Sequence, residues 1–505
     1  MRDFGIGSWP ARVARTRPDG VAMIHFGVST TFAEVAERTA RLANALRAKG
    51  IGRGDRIAYL GHNSSALAET LFAAARLGAV FVPLNTRLAP PETAYILRDC
   101  EPSLFVWGPS FENTVEHPDV KALGIPTVAV GEDPRAGEFE ALLRSGDPTP
   151  LDEPISHDDL VMIQYTSGTS GHPKGVMMTH GNITWNVLHV ILDMDLTQGT
   201  VALVAAPMFH TAGLNVHFLP TFLKGGTALI EESWRPERML DLIAEHRVTY
   251  LFGVTSMYQS LAQSPRWAEA DLSSVSVAES GGSPLPEVLL RTYADRGVAI
   301  IQGFGLTESS PGATILPPAD TVRKLGSAGL PHTFADARIV RPDFTTADVD
   351  EVGEILVQGP NVTKGYWRNE EATKAAFVDG DWLRTGDLAR VDADGYIYIV
   401  DRLKDMIISG GENVYPAEVE AAIVAHPAVD EAAVIGVPDA RWGEVGRAVV
   451  TLRPGASLTP EELLGFLDGR IARYKIPKSA VIVEALPHNA SGKLVKRTVK
   501  EQFSD

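Results

Sequence analysis

The first third of the chain alternates helix-like with strand-like segments, and this rhythm constrains the fold more than any other feature. Phe32 to Lys49 reads as an amphipathic helix, Arg56 to Leu60 as a strand, residues 65 to 77 as a helix and 79 to 83 as a strand. The rhythm returns in the middle, with helix 236 to 246, the strand-like run Val248-Thr-Tyr-Leu-Phe252, helix 256 to 263 and strand 275 to 278. Such alternation predicts an α/β fold of layered helices and strands, because each half-apolar element must bury its face on another. After about residue 320 the pattern shifts to short strands with Gly and Asp turns, as in Val352 to Gln358 and Asp394 to Val400, which reads as a smaller β-rich subdomain. The charged joint Asp401-Arg-Leu-Lys-Asp405 then precedes helix 417 to 425, strands near 431 to 437 and 447 to 452, helix 460 to 473 and strand 479 to 483. The expected organisation is a large N-terminal domain over residues 1–400 and a small mobile α+β C-terminal domain over 401–505, with the hinge at that joint.

Composition narrows the function classes. Lys plus Arg number 46 against 63 Asp plus Glu, a net charge of −17, which argues against a general polyanion-binding surface and so against nucleic acid. Any phosphate ligand must be held by a local site. The sole cysteine, Cys100, excludes an intrachain disulfide and a cysteine-rich zinc module, and reads as an inert buried thiol in a reducing compartment. The start, Met1 to Pro10, lacks the continuous apolar region of a secretory signal and is followed by Arg12, Arg15 and Arg17. Ala66 to Leu84 is interrupted by Glu69 and Arg76, and reads as a buried helix running into a strand rather than a membrane span. A soluble cytoplasmic protein is expected.

Five segments could carry chemistry. Tyr165-Thr-Ser-Gly-Thr-Ser-Gly-His-Pro-Lys-Gly175 follows the apolar run Leu160 to Ile163 directly. A strand opening into glycines, hydroxyls and one lysine suits a polyphosphate, because small residues let backbone N–H groups approach and Lys174 adds charge. It is not a Walker loop, since Gly175 follows Lys174; a plain surface loop is the competing reading. Gln302-Gly-Phe-Gly-Leu-Thr-Glu-Ser309 comes straight after Val298 to Ile301 and could set Phe304 against a flat ring, with Thr307 donating to phosphate and Glu308 holding Mg²⁺. An ordinary glycine turn with a capping threonine competes with that reading. Asp387, in Arg384-Thr-Gly-Asp-Leu388, is either a ribose acceptor or a turn residue, and Lys493 in Ser491-Gly-Lys-Leu is either a mobile catalytic cation or an exposed lysine. His210, in Pro207-Met-Phe-His-Thr-Ala-Gly213, is a core histidine or part of a pocket with Trp185, Leu214 and Phe218 as apolar neighbours.

Taken together and in this order, these segments resemble the adenylate-forming superfamily of acyl-CoA synthetases, peptide-synthetase adenylation domains and luciferases, over nearly the whole chain. The resemblance implies attack of a carboxylate on the α-phosphate of ATP, giving acyl-AMP and pyrophosphate, then transfer of the acyl group to a thiol with release of AMP. It assigns catalysis to Lys493, Thr307, Glu308 and Lys174, with Glu308 the Mg²⁺ ligand. The phosphates would lie against Thr166, Ser167, Gly168, Thr169, Ser170, Gly171 and Lys174. The adenine would be bordered by Gly281, Gly282, Ser283, Gln302, Gly303, Phe304 and Gly305, and the ribose by Asp387 and Arg402. Lys404 matches the hinge, and Gly410 and Gly411, with His210, match the tunnel for the pantetheine arm of CoA.

The acyl pocket inferred from position comprises Trp185, His210, Leu214, Phe252, Val254, Gly281, Gly305, Leu306 and Pro311. It offers no Asp for an amino group and no Arg for a second carboxylate, which disfavours free amino acids and malonate. Glycines at 281, 282, 305 and 312 are expected to leave room for a bulky acid. Fatty, hydroxycinnamic and terpenoid acids stay open, as do an acyl carrier protein in place of CoA and a homodimer. Departures from the family pattern are Phe304 in place of Tyr, Ser283 in place of Ala, Asp381 in place of Gly, and no proline after Val254. A non-catalytic nucleotide-binding protein would be expected to lack Lys493 or Glu308, and both are present. Lys493→Ala is expected to abolish pyrophosphate release while thioester formation from supplied acyl-AMP persists; equal loss of both half-reactions would contradict a lysine serving the first step alone.

Overall fold

Local signals set the element boundaries. Helix Phe32–Ala48 begins at a reciprocal cap, in which Thr31 Oγ1 accepts from Glu34 N at 3.2 Å and the Glu34 carboxylate accepts from Thr31 N at 2.7 Å. Helix Ser65–Leu77 is capped by the Ser64 hydroxyl and stopped by Gly78 at φ +69, a conformation that favours glycine. It is buried along nearly its whole length and leads into strand Val80–Pro83, as the pattern of Ala66 to Leu84 predicts. No helix among the described residues is long and apolar enough to cross a membrane.

This computed structural model describes residues 3–166, 173–282, 285–409, 412–439, 441–468, 470–489 and 494–504. The chain forms two compact units: Met1–Leu325 with Pro331–Asp336 and Val357–Leu383, and Gly326–Leu330 with Ala337–Leu356 and Arg384–Asp505.

The first unit carries two sheets. In one, the strands run in the order Gly312–Ile315, Ile300–Gly305, Val277–Ser280, Tyr250–Gly253, Val201–Val204, Thr227–Ile230, Val21–His25 and Val28–Thr31. All pairs from Ile300–Gly305 to Val21–His25 are parallel, so their carboxyl ends share one edge. The other runs Thr127–Ala129, Leu104–Trp107, Arg56–Leu60, Val80–Pro83, Leu160–Thr166 and Lys174–Thr179, parallel except for the last pair. The core between helices and sheets is largely apolar, and it encloses a charge cluster in which Arg38 holds Glu69 at 2.5 Å and Glu140 at 2.7 Å. Cys100 is buried, and burial pushes its thiol up to about 12, which makes it inert at neutral pH.

In the second unit the long antiparallel pair Val429–Asp439 and Gly443–Leu452 gains Ser479–Ile482 in parallel. Helices Pro416–Val424 and Pro460–Leu467 cover it, burying Val419, Ile423, Leu463 and Leu467 against Val434 and Val450. The second helix stops earlier than the residue 473 expected from the sequence: Asp468 is already extended at ψ 129 and Gly469 follows it in the sequence. Asp387 pairs with Arg402 and Leu388 with Asp401, so the charged joint begins at the end of a hairpin. The Asp401 carboxylate accepts from Ala417 N at 2.8 Å, in the first turn of helix Pro416–Val424.

Five histidines of the first unit are kept neutral by burial, which pushes His25, His189, His210 and His217 down to about 4 and His180 to about 3. Unfolded imidazoles protonate near about 6.5, so below that pH the unfolded chain binds protons that the folded chain refuses. Buried Glu279, pushed up to about 7, acts in the opposite sense, as do Asp3, Glu69 and Glu420, whose carboxyls burial raises; Glu34, Glu140 and Asp159, held below their usual range by hydrogen bonds and neighbouring arginines, act in the same sense as the histidines. Stability in urea is therefore expected to fall steadily as pH drops from about 6.5 towards 4, and a flat profile across that window would contradict the neutral burial of these side chains.

Candidate active site

Many candidate residues of the first unit lie at or just beyond the carboxyl ends of its strands, whereas Trp185 lies in helix His180–Asp193 and Lys174 begins strand Lys174–Thr179. Thr166 and Lys174 are register partners across the antiparallel pair that flanks the glycine-hydroxyl segment. Ser167, Gly168, Thr169, Ser170 and Gly171 themselves lie outside the described residues. The Lys174 ammonium stands 5.3 Å from the centre of the Tyr366 ring, and the Tyr366 hydroxyl donates to Glu308 Oε1 at 2.8 Å. Burial and the adjoining carboxylate push the Tyr366 phenol above its usual range, which keeps it a donor. Thr363 N donates to the Glu308 carbonyl at 2.7 Å. The structure thus brings Lys174, Glu308 and its neighbour Thr307 together through Tyr366, a residue the motif spacing does not single out. Its only sequence signal is an aromatic pair after a glycine, Gly365-Tyr-Trp367.

Glu308 is the carboxylate here, and no cluster of three or more His, Cys, Asp or Glu that could hold a metal occurs among the described residues. One carboxylate fits Mg²⁺, which keeps several waters and takes much of its shell from substrate phosphates.

Gly281 and Gly282 follow strand Val277–Ser280, and Gln302 pairs with Ser280 while its side-chain oxygen accepts from Leu285 N at 3.2 Å. Ser283 lies outside the described residues. Gly282 sits at φ +86 with nothing among the described residues within 4 Å of where a Cβ would be, and at Gly281 the nearest described atom is 3.5 Å away. Gly305 and Gly312 are different, and the expectation that they leave room for a bulky acid is corrected. A Cβ on Gly305 would lie 1.6 Å from the Pro311 carbonyl, and one on Gly312 would lie 2.8 Å from His332 Nε2. Both are glycine because neighbouring chain already fills the space. Gly303 is tight to a lesser degree, with Ile315 at 3.1 Å, and half-buried Phe304 pairs with Thr314.

His210 sits in a loop fixed from two sides. Asn63 Oδ1 accepts from Met208 N at 2.7 Å, and Gln164 Nε2 donates to the Phe209 carbonyl at 2.6 Å. Its ring leans on Phe209 with centroids 4.5 Å apart, and its Nε2 has no hydrogen-bond partner among the described residues. A neutral imidazole with an unpaired nitrogen is a ready donor or acceptor for a ligand. Leu214 N donates to the His210 carbonyl at 3.1 Å, and Leu214 and Phe252 are buried in the same core cluster, with half-buried Val254 packed against it. Leu306 N donates to the Pro311 carbonyl at 3.1 Å, and both residues are half-buried. Trp185 packs edge-on against Phe334 with centroids 5.0 Å apart. Asn361 steadies the turn by donating to the Ser309 and Gly312 carbonyls. Neither Phe334 nor Asn361 was visible in any spacing.

In the second unit, Asp387 and Arg402 lie side by side, Oδ1 to Nε 3.2 Å, beside Gly386 at φ +71. Lys404 is exposed in the turn after strand Ile397–Arg402. Ser409 and Glu412 are paired across the hairpin that contains Gly410 and Gly411, which lie outside the described residues, as does Lys493.

The family described as AMP-binding enzyme matches residues 10–367, and the AMP-binding enzyme C-terminal domain matches 418–493. A feruloyl-CoA synthase of Amycolatopsis is 48% identical over 504 residues, covering 100% of both chains. An indoleacetate–CoA ligase of Aromatoleum aromaticum is 39% identical over 498 residues, covering 98% of each. The crystal structure of ATP-bound MatB from Rhodopseudomonas palustris superposes with a TM-score of 0.92 at 34% identity, covering 99% of each chain.

The contact between Tyr366 and Glu308 yields a direct check. Loss of a hydrogen bond to a charged group costs about 1.5–3 kcal/mol, so Tyr366→Phe is expected to weaken Mg²⁺–ATP binding by about ten-fold or more in calorimetric titration. An unchanged affinity in a normally folded variant would show that the hydroxyl does not position the carboxylate.

Proposed function

Because the chain belongs to the AMP-binding enzyme family of adenylate-forming acyl-CoA synthetases, we propose that the acid it activates is a hydroxycinnamate of the feruloyl type. The protein is an ATP-dependent, AMP-forming acid–thiol ligase working through an acyl-adenylate, with CoA as co-substrate. The observation that carries the choice of acid is the end-to-end 48% identity with a feruloyl-CoA synthase. The aromatic and apolar set of Trp185, Phe252, Leu214 and Leu306 supports it, since a planar ring with a short unsaturated arm gains most from flat apolar walls.

The first half-reaction brings one anion against another, and the barrier is electrostatic. Lys174 steadies the departing pyrophosphate, and Lys493 bridges the attacking carboxylate and the α-phosphate, so positive charge is fixed where negative charge gathers. Thr307 donates to the phosphate, and Glu308, oriented by Tyr366, is the residue that would hold Mg²⁺. That ion supplies further charge neutralisation when bound. Phe304 stacks on the adenine, Gly281 and Gly282 border it through their backbone, and Asp387 with Arg402 takes the ribose hydroxyls.

For the second half-reaction, the division into residues 1–400 and 401–505 with a hinge at Lys404 allows the C-terminal domain to withdraw Lys493 and present Gly410 and Gly411. Side chains there would obstruct a pantetheine arm. His210 would add a neutral imidazole beside the pantetheine arm, and its Nε2 has no hydrogen-bond partner among the described residues. The thiol then attacks the acyl carbonyl and expels AMP. We place this reaction in the cytoplasm.

Pyrophosphate release measured with fatty, hydroxycinnamic, benzoic and polycyclic acids, with and without CoA, tests both parts. Ferulate is expected to have a kcat/KM at least ten-fold above the other classes, with multiple turnovers only when CoA is present. A preference for a fatty or polycyclic acid would overturn the choice of acid, and a single turnover that CoA cannot extend would replace CoA by a carrier protein.

A further inference from the structure

In the six-stranded sheet of the first unit, the chain passes from Arg56–Leu60 to Val80–Pro83 on one side and then crosses to Leu104–Trp107 on the other. The loops that leave the carboxyl ends of Arg56–Leu60 and Leu104–Trp107 therefore diverge, and such a switch point is where open parallel sheets form ligand crevices. A cavity lies there, lined by those two loops, by the loop after Thr127–Ala129, and by His25, Phe26 and Glu232 from the neighbouring sheet. None of the residues assigned above to ATP, the acid or CoA lines it.

Three observations describe the occupant. His25 is 94% buried in the cavity wall, its Nδ1 is 3.4 Å from Ser65 Oγ, and its Nε2 has no hydrogen-bond partner among the described residues. A buried polar atom left unpaired is costly, and a ligand group would satisfy it. No Lys or Arg lines the cavity, whereas exposed Glu132, Asp133 and Glu232 do, so the local field repels anions and draws cations. Arg135, next to this acidic pair in the chain, is turned to Thr30 Oγ1 at 2.9 Å. Lastly, Phe26, Tyr59, Phe111 and Phe139 supply aromatic surface, which suits an apolar body and attracts a cation over its faces.

We propose that this cavity is a second ligand site, which takes a small organic ammonium ion with an aromatic or apolar body. The body lies among the rings and the ammonium group among the carboxylates, with His25 in the wall beside it.

Phenethylammonium titrated calorimetrically into the full chain tests it, with 2-phenylethanol as the neutral isostere. One saturable site is expected for the amine, with the alcohol at least ten-fold weaker. The double substitution Glu132→Gln and Glu232→Gln, both on exposed side chains, is expected to weaken amine binding about ten-fold, and Ser110→Trp, which fills the cavity from its exposed rim, to abolish it. Both variants are expected to keep the parent melting temperature, so loss of binding reports on the cavity rather than on the fold. Absence of saturable heat, equal affinity for the alcohol, or unchanged binding in both variants would each overturn the assignment.

Discussion

The side chain of Asn63 joins the two parallel sheets of the first unit, and the candidate site depends on that joint. Asn63 follows strand Arg56–Leu60 of one sheet, and its amide donates to the Ala206 carbonyl at 2.9 Å and the Glu231 carbonyl at 3.1 Å, just beyond two strands of the other. Its oxygen accepts from Met208 N at 2.7 Å. One buried amide therefore fixes the carboxyl ends of strands from both sheets relative to one another. In a water-poor interior each of these bonds is strong, and leaving any of them unmade is expensive. The His210 loop, Gly281 and Gly282 after Ser280, the Gln302–Gly305 end of strand Ile300–Gly305 and the flank of the glycine-hydroxyl segment all lie at or beyond such ends, so candidate residues from distant stretches of chain share one edge of the sheets.

Charge is the second constraint. A chain of net charge −17 must bind a nucleoside triphosphate and an organic anion, and it does so through local features rather than its overall field. Lys174 is braced on the Tyr366 ring, and the same side chain turns its hydroxyl to Glu308, so a cation and a carboxylate are set by one aromatic residue. His210 is held neutral by burial, and its Nε2 has no hydrogen-bond partner among the described residues. It can exchange hydrogen bonds with a ligand without adding a charge to an already crowded electrostatic site.

Much of this was legible in the sequence, for a physical reason. Elements such as Phe32–Ala48, Ser65–Leu77 and Pro236–Glu245 announce themselves through apolar periodicity and caps, which are local properties. The motifs of the site are likewise short and contiguous, so Lys174, Glu308, Asp387 and His210 could be named from their neighbours in the chain. Contacts across the chain left no such trace: Tyr366 reaches Glu308 over 58 positions, and Asn63 reaches Met208 over 145. The glycines show the same limit. Gly282 and Gly305 look alike in sequence, yet one borders open space and the other is pressed against the Pro311 carbonyl. The end of helix Pro460–Leu467 was missed because two weak formers, Asp468 and Gly469, interrupt an otherwise helical pattern.

The central claim is that a carboxylate oxygen of the acid becomes bonded to the α-phosphorus of ATP. Ferulate carrying ¹⁸O in both carboxylate oxygens, turned over with ATP, Mg²⁺ and CoA, tests this by mass spectrometry of the nucleotide and of the acyl-CoA. The account predicts AMP with one ¹⁸O in its phosphate and feruloyl-CoA retaining one. Unlabelled AMP, or label found in inorganic phosphate alongside ADP, would contradict it.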